Sequence, residues 1–157
     1  MPPTRPDHSL AVPELKRIFL ADGLRAALAY LNALSAQRFT SVFRFQDDRL
    51  QCVTFYDRDH PELETCEEIA VEASYCMFVR NSRCRLDVEE SLDDSRLAGH
   101  PKQNVVRSYC GVPLVGEDGE VFGTVCHFDF SPGVIHPYDV DLLETLGGLL
   151  SRAGPGV

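Results

Sequence analysis

The stretch Tyr109-Cys-Gly-Val-Pro-Leu-Val-Gly-Glu-Asp-Gly-Glu-Val-Phe-Gly-Thr-Val-Cys-His-Phe-Asp129 decides how this chain folds. Two apolar runs flank the turn residues Gly116 to Gly119, the pattern of a β-hairpin. The expected strands cover about 108–115 and 120–130. Alternation along the second sets Phe122, Cys126, Phe128 and Phe130 on one face and Val121, Val125, His127 and Asp129 on the other. A strand with so few polar residues on either side belongs in the middle of a sheet covered on both faces.

Upstream, Arg38–Phe45 and Leu50–Asp57 are rich in aromatic and β-branched residues and are joined by the polar Gln46-Asp-Asp-Arg49. They predict a second antiparallel hairpin. A solvated loop, a short helix over 72–81 and a brief strand around Cys84–Val88 follow, then a charged segment, Glu89–Gln103, with a turn at Ala98-Gly-His-Pro101. At the N-terminal end Pro13 opens a helical run whose stripe is Leu15, Ile18, Phe19, Leu24, Leu28 and Leu31. Asp22-Gly23 interrupts it, predicting a kink or a second helix capped by Asp22 and running to about Ser35. The last helix starts at His136-Pro137, carries Asp139 and Asp141 in its first turn, and has Leu142, Leu143, Leu146, Leu149 and Leu150 as its stripe. Residues 1–12, with three prolines, read as a loose arm, 13–150 as one domain with helices over 13–35, and 151–157 as a flexible tail. The sum is an α+β fold with a mostly antiparallel sheet of five or six strands between helices.

Composition narrows the function. The 157 residues are 44% hydrophobic and 25% charged, ordinary for a globular domain with a real core. A formal net charge of −9 disfavours nucleic acid and anionic membrane as partners, because each phosphate contact must overcome repulsion. No apolar run approaches the ~20 residues of a bilayer span, and the first residues lack the apolar core of an export signal. A cytoplasmic protein is expected. Its six cysteines, at 52, 66, 76, 84, 110 and 126, are scattered without a Cys-x-x-Cys pair, so no metal site is expected. Cys52, Cys110 and Cys126 lie in apolar strands and read as small core residues.

Several strings together resemble the GAF domain family over about residues 22–150. They are Ser74-Tyr-Cys76, Leu86-Asp-Val88, Asp94-Ser-Arg-Leu-Ala-Gly-His-Pro101, Gly111-Val-Pro-Leu114, Asp118-Gly-Glu-Val-Phe-Gly-Thr-Val-Cys126 and Asp129. The resemblance implies a central antiparallel sheet with the first and last helices on one face. It implies a small-molecule pocket on the other, under a covering segment that is here about 62–107. It also implies a sensory role in signal transduction, in a stand-alone domain of bacterial type that acts through a separate effector, and a homodimer joined by the first and last helices. The Asn-Lys…Phe…Asp-Glu signature of cyclic-nucleotide binders is missing, as is the cysteine context of covalent bilin binders, so the cofactor or ligand is left unnamed.

Within that frame the ligand-binding candidates are Tyr75, Cys76, Arg96, His100, Tyr109, His127 and Asp129. His127 and Asp129 share a strand face and would make the polar floor of the pocket; the alternative is a strand-end histidine bonded to an acid or to backbone. Arg96 has the neighbouring acids Asp87, Glu89, Glu90, Asp93 and Asp94 as rival partners. That acidic cluster lacks the spacing and central glycine of a calcium loop. The rival enzyme reading is a free methionine-(R)-sulfoxide reductase using Cys76, Cys84 and Cys110, since sulfoxide reduction needs an attacking thiolate and a resolving cysteine. The Gly-Val-Cys-Gly string of those enzymes is absent. The third reading is a dimerisation module without ligand.

Overall fold

The computed structural model describes residues 5–156. Six strands form one antiparallel sheet in the order β3-β2-β1-β6-β5-β4. Their ranges are β1 Phe39–Gln46, β2 Arg49–Asp57, β3 Ile69–Ala70, β4 Leu86–Val88, β5 Ser108–Val115 and β6 Val121–Asp129. The helices are α1 His8–Asp22, α2 Leu24–Leu34, α3 Cys76–Ser82 and α4 Pro137–Ala153. The two expected hairpins are β1–β2, whose turn is only Asp47 and Asp48, and β5–β6, whose turn is Gly116 to Gly119. Pairing between β1 and β6 joins them, so the middle of the sheet is the second strand of the decisive hairpin against the first strand of the other.

Each face of the sheet has its own core. On one face α1, α2 and α4 pack together, and Leu15, Leu28, Leu31, Leu143, Leu146 and Leu150 meet Val42, Cys110, Val112, Leu114 and Val125 from the strands. On the other, Phe43, Leu50, Tyr109 and Cys126 lie under Val71, Tyr75, Cys76, Val79 and Leu97 of the 62–107 segment. Apolar residues on both sides of β6 thus bury against two separate layers, each side chain giving about 1.5–3 kcal/mol.

Two expectations at the ends need correction. Residues 8–12 are not a loose arm: α1 begins at His8, and Pro13 sits inside it rather than opening it. The Asp7 carboxylate accepts from the Ser9 amide at 2.8 Å, and Ala11 and Leu15, one turn apart, are fully buried. That capping and burial offset the lost hydrogen bond and steric cost of an internal proline. The segment before the helix is fastened to α4 as well, by Arg5 to Asp139 at 2.7 Å and by the Tyr138 hydroxyl to the Pro6 carbonyl at 2.8 Å. The arm's residues 1–4 lie outside the described residues. The tail is likewise not free from 151 on, because α4 continues to Ala153 and the Ser151 hydroxyl accepts from the Val115 amide at 3.0 Å; Val157 lies outside the described residues. Between α1 and α2 the helices do separate, yet Gly23 at φ 95°, not Asp22, occupies the cap position.

Phe122 departs from strict alternation. A register shift lets Val115 face Val121 while Leu114 faces Gly123, so Phe122 is the extra residue of a bulge and turns to the helix-side core. At the neighbouring Gly123 the β1 backbone leaves no room for a side chain: a Cβ there would lie 2.2 Å from the Phe43 carbonyl oxygen.

Candidate functional site

Between the sheet and the 62–107 segment lies a cavity of about 240 Å³. Its floor is Phe43, Leu50, Tyr109, Phe128 and Phe130; its roof and walls are Cys66, Ile69, Ala73, Ser74, Tyr75, Val105 and Val106. Glu67 and Lys102 supply the charges of the lining, Glu67 exposed and Lys102 half-buried. The floor exists because odd-numbered β1 and β5 residues and even-numbered β6 residues share one side of the sheet.

Tyr109 and Tyr75 shape the interior. The Tyr109 ring lies along its own strand over Gly111, where a Cβ would come within 2.2 Å of the phenol oxygen. Its hydroxyl reaches the Cys76 sulfur at 3.2 Å, and the Thr124 hydroxyl reaches the same sulfur at 3.3 Å. Tyr75 meets Tyr109 edge-on, and its hydroxyl donates to the carbonyls of Lys102 and Val106 at 3.0 and 2.8 Å, pinning the roof. Burial raises the pKa of both phenols, so both stay neutral hydrogen-bonding groups.

Sequence reasoning placed some candidates here and misplaced others. Tyr75 and Tyr109 line the cavity. Cys76 is fully buried just beneath it, and the His100 ring packs at a tilt against Tyr75, with ring centroids 4.9 Å apart. Burial lowers the His100 pKa, which keeps that ring neutral. Arg96 does not enter the site; it is exposed, paired with Asp94 and donating to the Asp87 carbonyl at 2.8 Å.

His127 and Asp129 are the clear correction. They share a face, as expected, but it is the helix side, opposite the Phe128 and Phe130 that reach the cavity. Alternation fixes which residues go together, not which group faces the cavity. Instead, His127 belongs to a buried polar network. Asn32 Nδ2 donates to Thr40 Oγ1 at 3.0 Å, and the Thr40 hydroxyl is hydrogen-bonded to His127 Nδ1 at 2.7 Å. Arg58 closes the network onto Asn32 Oδ1 and the carbonyls of Asn32 and Ser35. Burial, with help from Arg58, drives the His127 pKa down to about 3, so the ring is neutral. Asp129 Oδ2 accepts from the Arg38 amide at 2.9 Å.

The three cysteines of the reductase reading are also kept apart. Cys76 is sealed on the cavity side, Cys84 is exposed, and Cys110 faces the helices with its thiol on Asp87 Oδ1 at 3.3 Å. Burial, then Asp87, pushes the Cys110 thiol far up. On the cavity side of the sheet Cys76 and Cys126 are fully buried, and Cys52 and Cys66 are half-buried. Sequence reasoning missed Cys66, Lys102 and Val105, which come from irregular chain with no periodic pattern to reveal them, and Ile69, which lies in the two-residue strand β3. No cluster of His, Cys, Asp or Glu suited to a metal ion occurs among the described residues.

The sequence model of the GAF domain matches residues 18–153. The chain belongs to the GAF domain family. Solved structures agree on the fold. This GAF domain superposes on the GAF domain of an Acinetobacter phosphoenolpyruvate-protein phosphotransferase with a TM-score of 0.74 at 13% identity, covering 95% of this chain and 93% of that one. It is similar to free methionine-R-sulfoxide reductase from Neisseria meningitidis, with a TM-score of 0.71 at 16% identity, covering 95% and 90%. A putative GAF sensor protein from Burkholderia vietnamiensis gives 0.70 at 17% identity, covering 92% and 91%. No curated protein matches by sequence. Among the described residues no helix is long and apolar enough to cross a membrane.

Proposed function

We propose that this GAF domain is a sensory module that holds a small, largely apolar molecule between its sheet and the 62–107 segment. The cavity carries the reading: it is lined mainly by aromatic and aliphatic side chains, and its tyrosines already have hydrogen-bond partners. An apolar cavity of about 150 Å³ takes benzene, so the 240 Å³ here suits a ring compound of roughly ten heavy atoms. Glu67 and Lys102 offer one polar end of such a molecule an anchor each way. Ordering of the covering segment by the ligand is the signal, passed through the sheet to the α1–α2–α4 layer and on to a partner.

A thermal melt against a panel of aromatic and short-chain metabolites tests this. A ligand present at about 100 times its Kd adds about 2.7 kcal/mol, which raises the Tm of a domain this size by roughly 5–10 °C. Ala73→Leu fills the cavity from its wall, so the shift should disappear in that variant while its own Tm stays at or above the original. No shift from any compound, or a shift that survives Ala73→Leu, contradicts the assignment.

A further inference from the structure

Lys102 is the cation of the 62–107 segment whose side chain the fold leaves without a partner. The arginines of that segment are all committed. Arg80 donates to the Asp47 carbonyl at 2.7 Å, and Arg83 donates to the Gly119 carbonyl. Arg85 pairs with Asp87 and Glu144, Arg96 with Asp94, and Arg107 with Glu90. Among the described residues the hydrogen bonds of Lys102 are made by its backbone. Its amide donates to His100 Nδ1 at 3.1 Å, and its carbonyl accepts from the Tyr75 hydroxyl at 3.0 Å and from the Val105 and Val106 amides at 2.9 Å. These bonds fix the turn beneath the residue and leave its ammonium free to take an acceptor.

The two charges of the cavity lining are not equivalent. Glu67 is exposed, so water already solvates its carboxylate and a bound cation would gain little there. Lys102 is half-buried, and its stem lies along the lining while no counter-ion replaces the water it has lost. A carboxylate supplies both the charge and the acceptor that this ammonium lacks. The net charge of −9 repels anions from a distance, but salt confines that repulsion to about 8 Å at physiological ionic strength, and Lys102 acts at contact.

We propose that the cavity selects a small aromatic carboxylate, with its ring against Phe43, Tyr109 and Phe128 and its carboxylate on the Lys102 ammonium. This rests on the ligand reading above and adds the charge of the ligand. The rings of the floor favour an aromatic body, and the one unpartnered cation at the edge decides the head group.

Isothermal titration calorimetry on the full chain tests it with phenylacetate, its neutral counterpart phenylacetamide, and 2-phenylethylamine. Phenylacetate should bind roughly tenfold more tightly than the amide, as a hydrogen bond to a charged group outweighs a neutral one. Lys102→Met keeps the stem and removes the charge, so phenylacetate should fall to the level of the amide while the amide stays where it was. Lys16→Met is the control: it removes the chain's other lysine, exposed on α1, and should alter neither affinity. With two lysines in the chain, selective labelling with ¹³C-lysine gives two sets of side-chain signals, and phenylacetate should move the set that Lys102→Met deletes. Equal affinities for acid and amide, or a Lys102→Met variant that keeps its preference for phenylacetate, would overturn the carboxylate and leave the cavity reading standing. Tightest binding by 2-phenylethylamine would do the same and assign the head-group site to Glu67. If none of the three binds at millimolar concentration, or binding survives Ala73→Leu, the cavity reading falls and the carboxylate falls with it.

Discussion

Gly123→Ala is expected to unfold this domain or leave it barely folded. The new Cβ would sit 2.2 Å from the Phe43 carbonyl oxygen, a backbone atom of the strand paired to β6. Relief requires β1 and β6 to separate, and those strands are the two middle members of the sheet with a core on each side. Side-chain overpacking costs about 1–3 kcal/mol, and a clash against backbone exceeds it; a domain has only about 5–15 kcal/mol to lose. Gly148→Ala is the control, since its Cβ meets only the end of the Arg152 side chain at 3.6 Å. There, a better helix former should be neutral or stabilise by up to about 1 kcal/mol. Urea denaturation of both variants reads the contrast directly. A Gly123→Ala protein within about 1 kcal/mol of the original would refute the close β1–β6 approach.

The second large effect is a loss of stability in mild acid caused by His127. Its pKa is about 3 in the folded protein, against the ordinary 6.5 it has when unfolded, so the unfolded chain binds the proton more readily. The contribution is complete above pH 6.5 and is lost as pH falls toward 3. Each pH unit inside that window costs about 1.4 kcal/mol, which makes the loss about 2 kcal/mol between pH 7 and pH 5. His127→Gln removes the titrating group, so the difference between the two proteins' pH profiles isolates it from His100, whose pKa shifts in the same direction. Denaturant midpoints at half-unit pH steps measure this. Parallel profiles would show that His127 is not held neutral inside the Asn32–Thr40–Arg58 network.

How much of this was legible beforehand depends on whether the information was local. The β5–β6 hairpin was, because apolar alternation and the Gly116–Gly119 turn are written in neighbouring residues. Alternation also grouped His127 with Asp129 and Phe128 with Phe130. It could not say which group faced the cavity, since that depends on where α1, α2 and α4 dock. The partners that make His127 structural, Thr40 and Asn32, are separated from it by 87 and 95 positions along the chain. Phe122 was misassigned because a bulge depends on both strands of a pair. Pro13 misled for the opposite reason: its local preference for a first turn was overridden by the Asp7 cap and the burial of Ala11 and Leu15. The cavity wall was the least legible part, as Cys66, Lys102 and Val105 stand in chain without period and gain meaning only by their position over the sheet.

In the proposed reading, the face of the sheet under the 62–107 segment is the ligand face. Backbone and methyl NMR spectra of the isotopically labelled protein, titrated with whichever compound gives the largest rise in Tm, test it most directly. Shifts should concentrate on Leu50, Ile69, Tyr75, Val106, Tyr109 and Phe128 and leave Leu28, Leu143 and His127 in place. Shifts centred on α1, α2 and α4 instead, with the cavity residues unmoved, would contradict it.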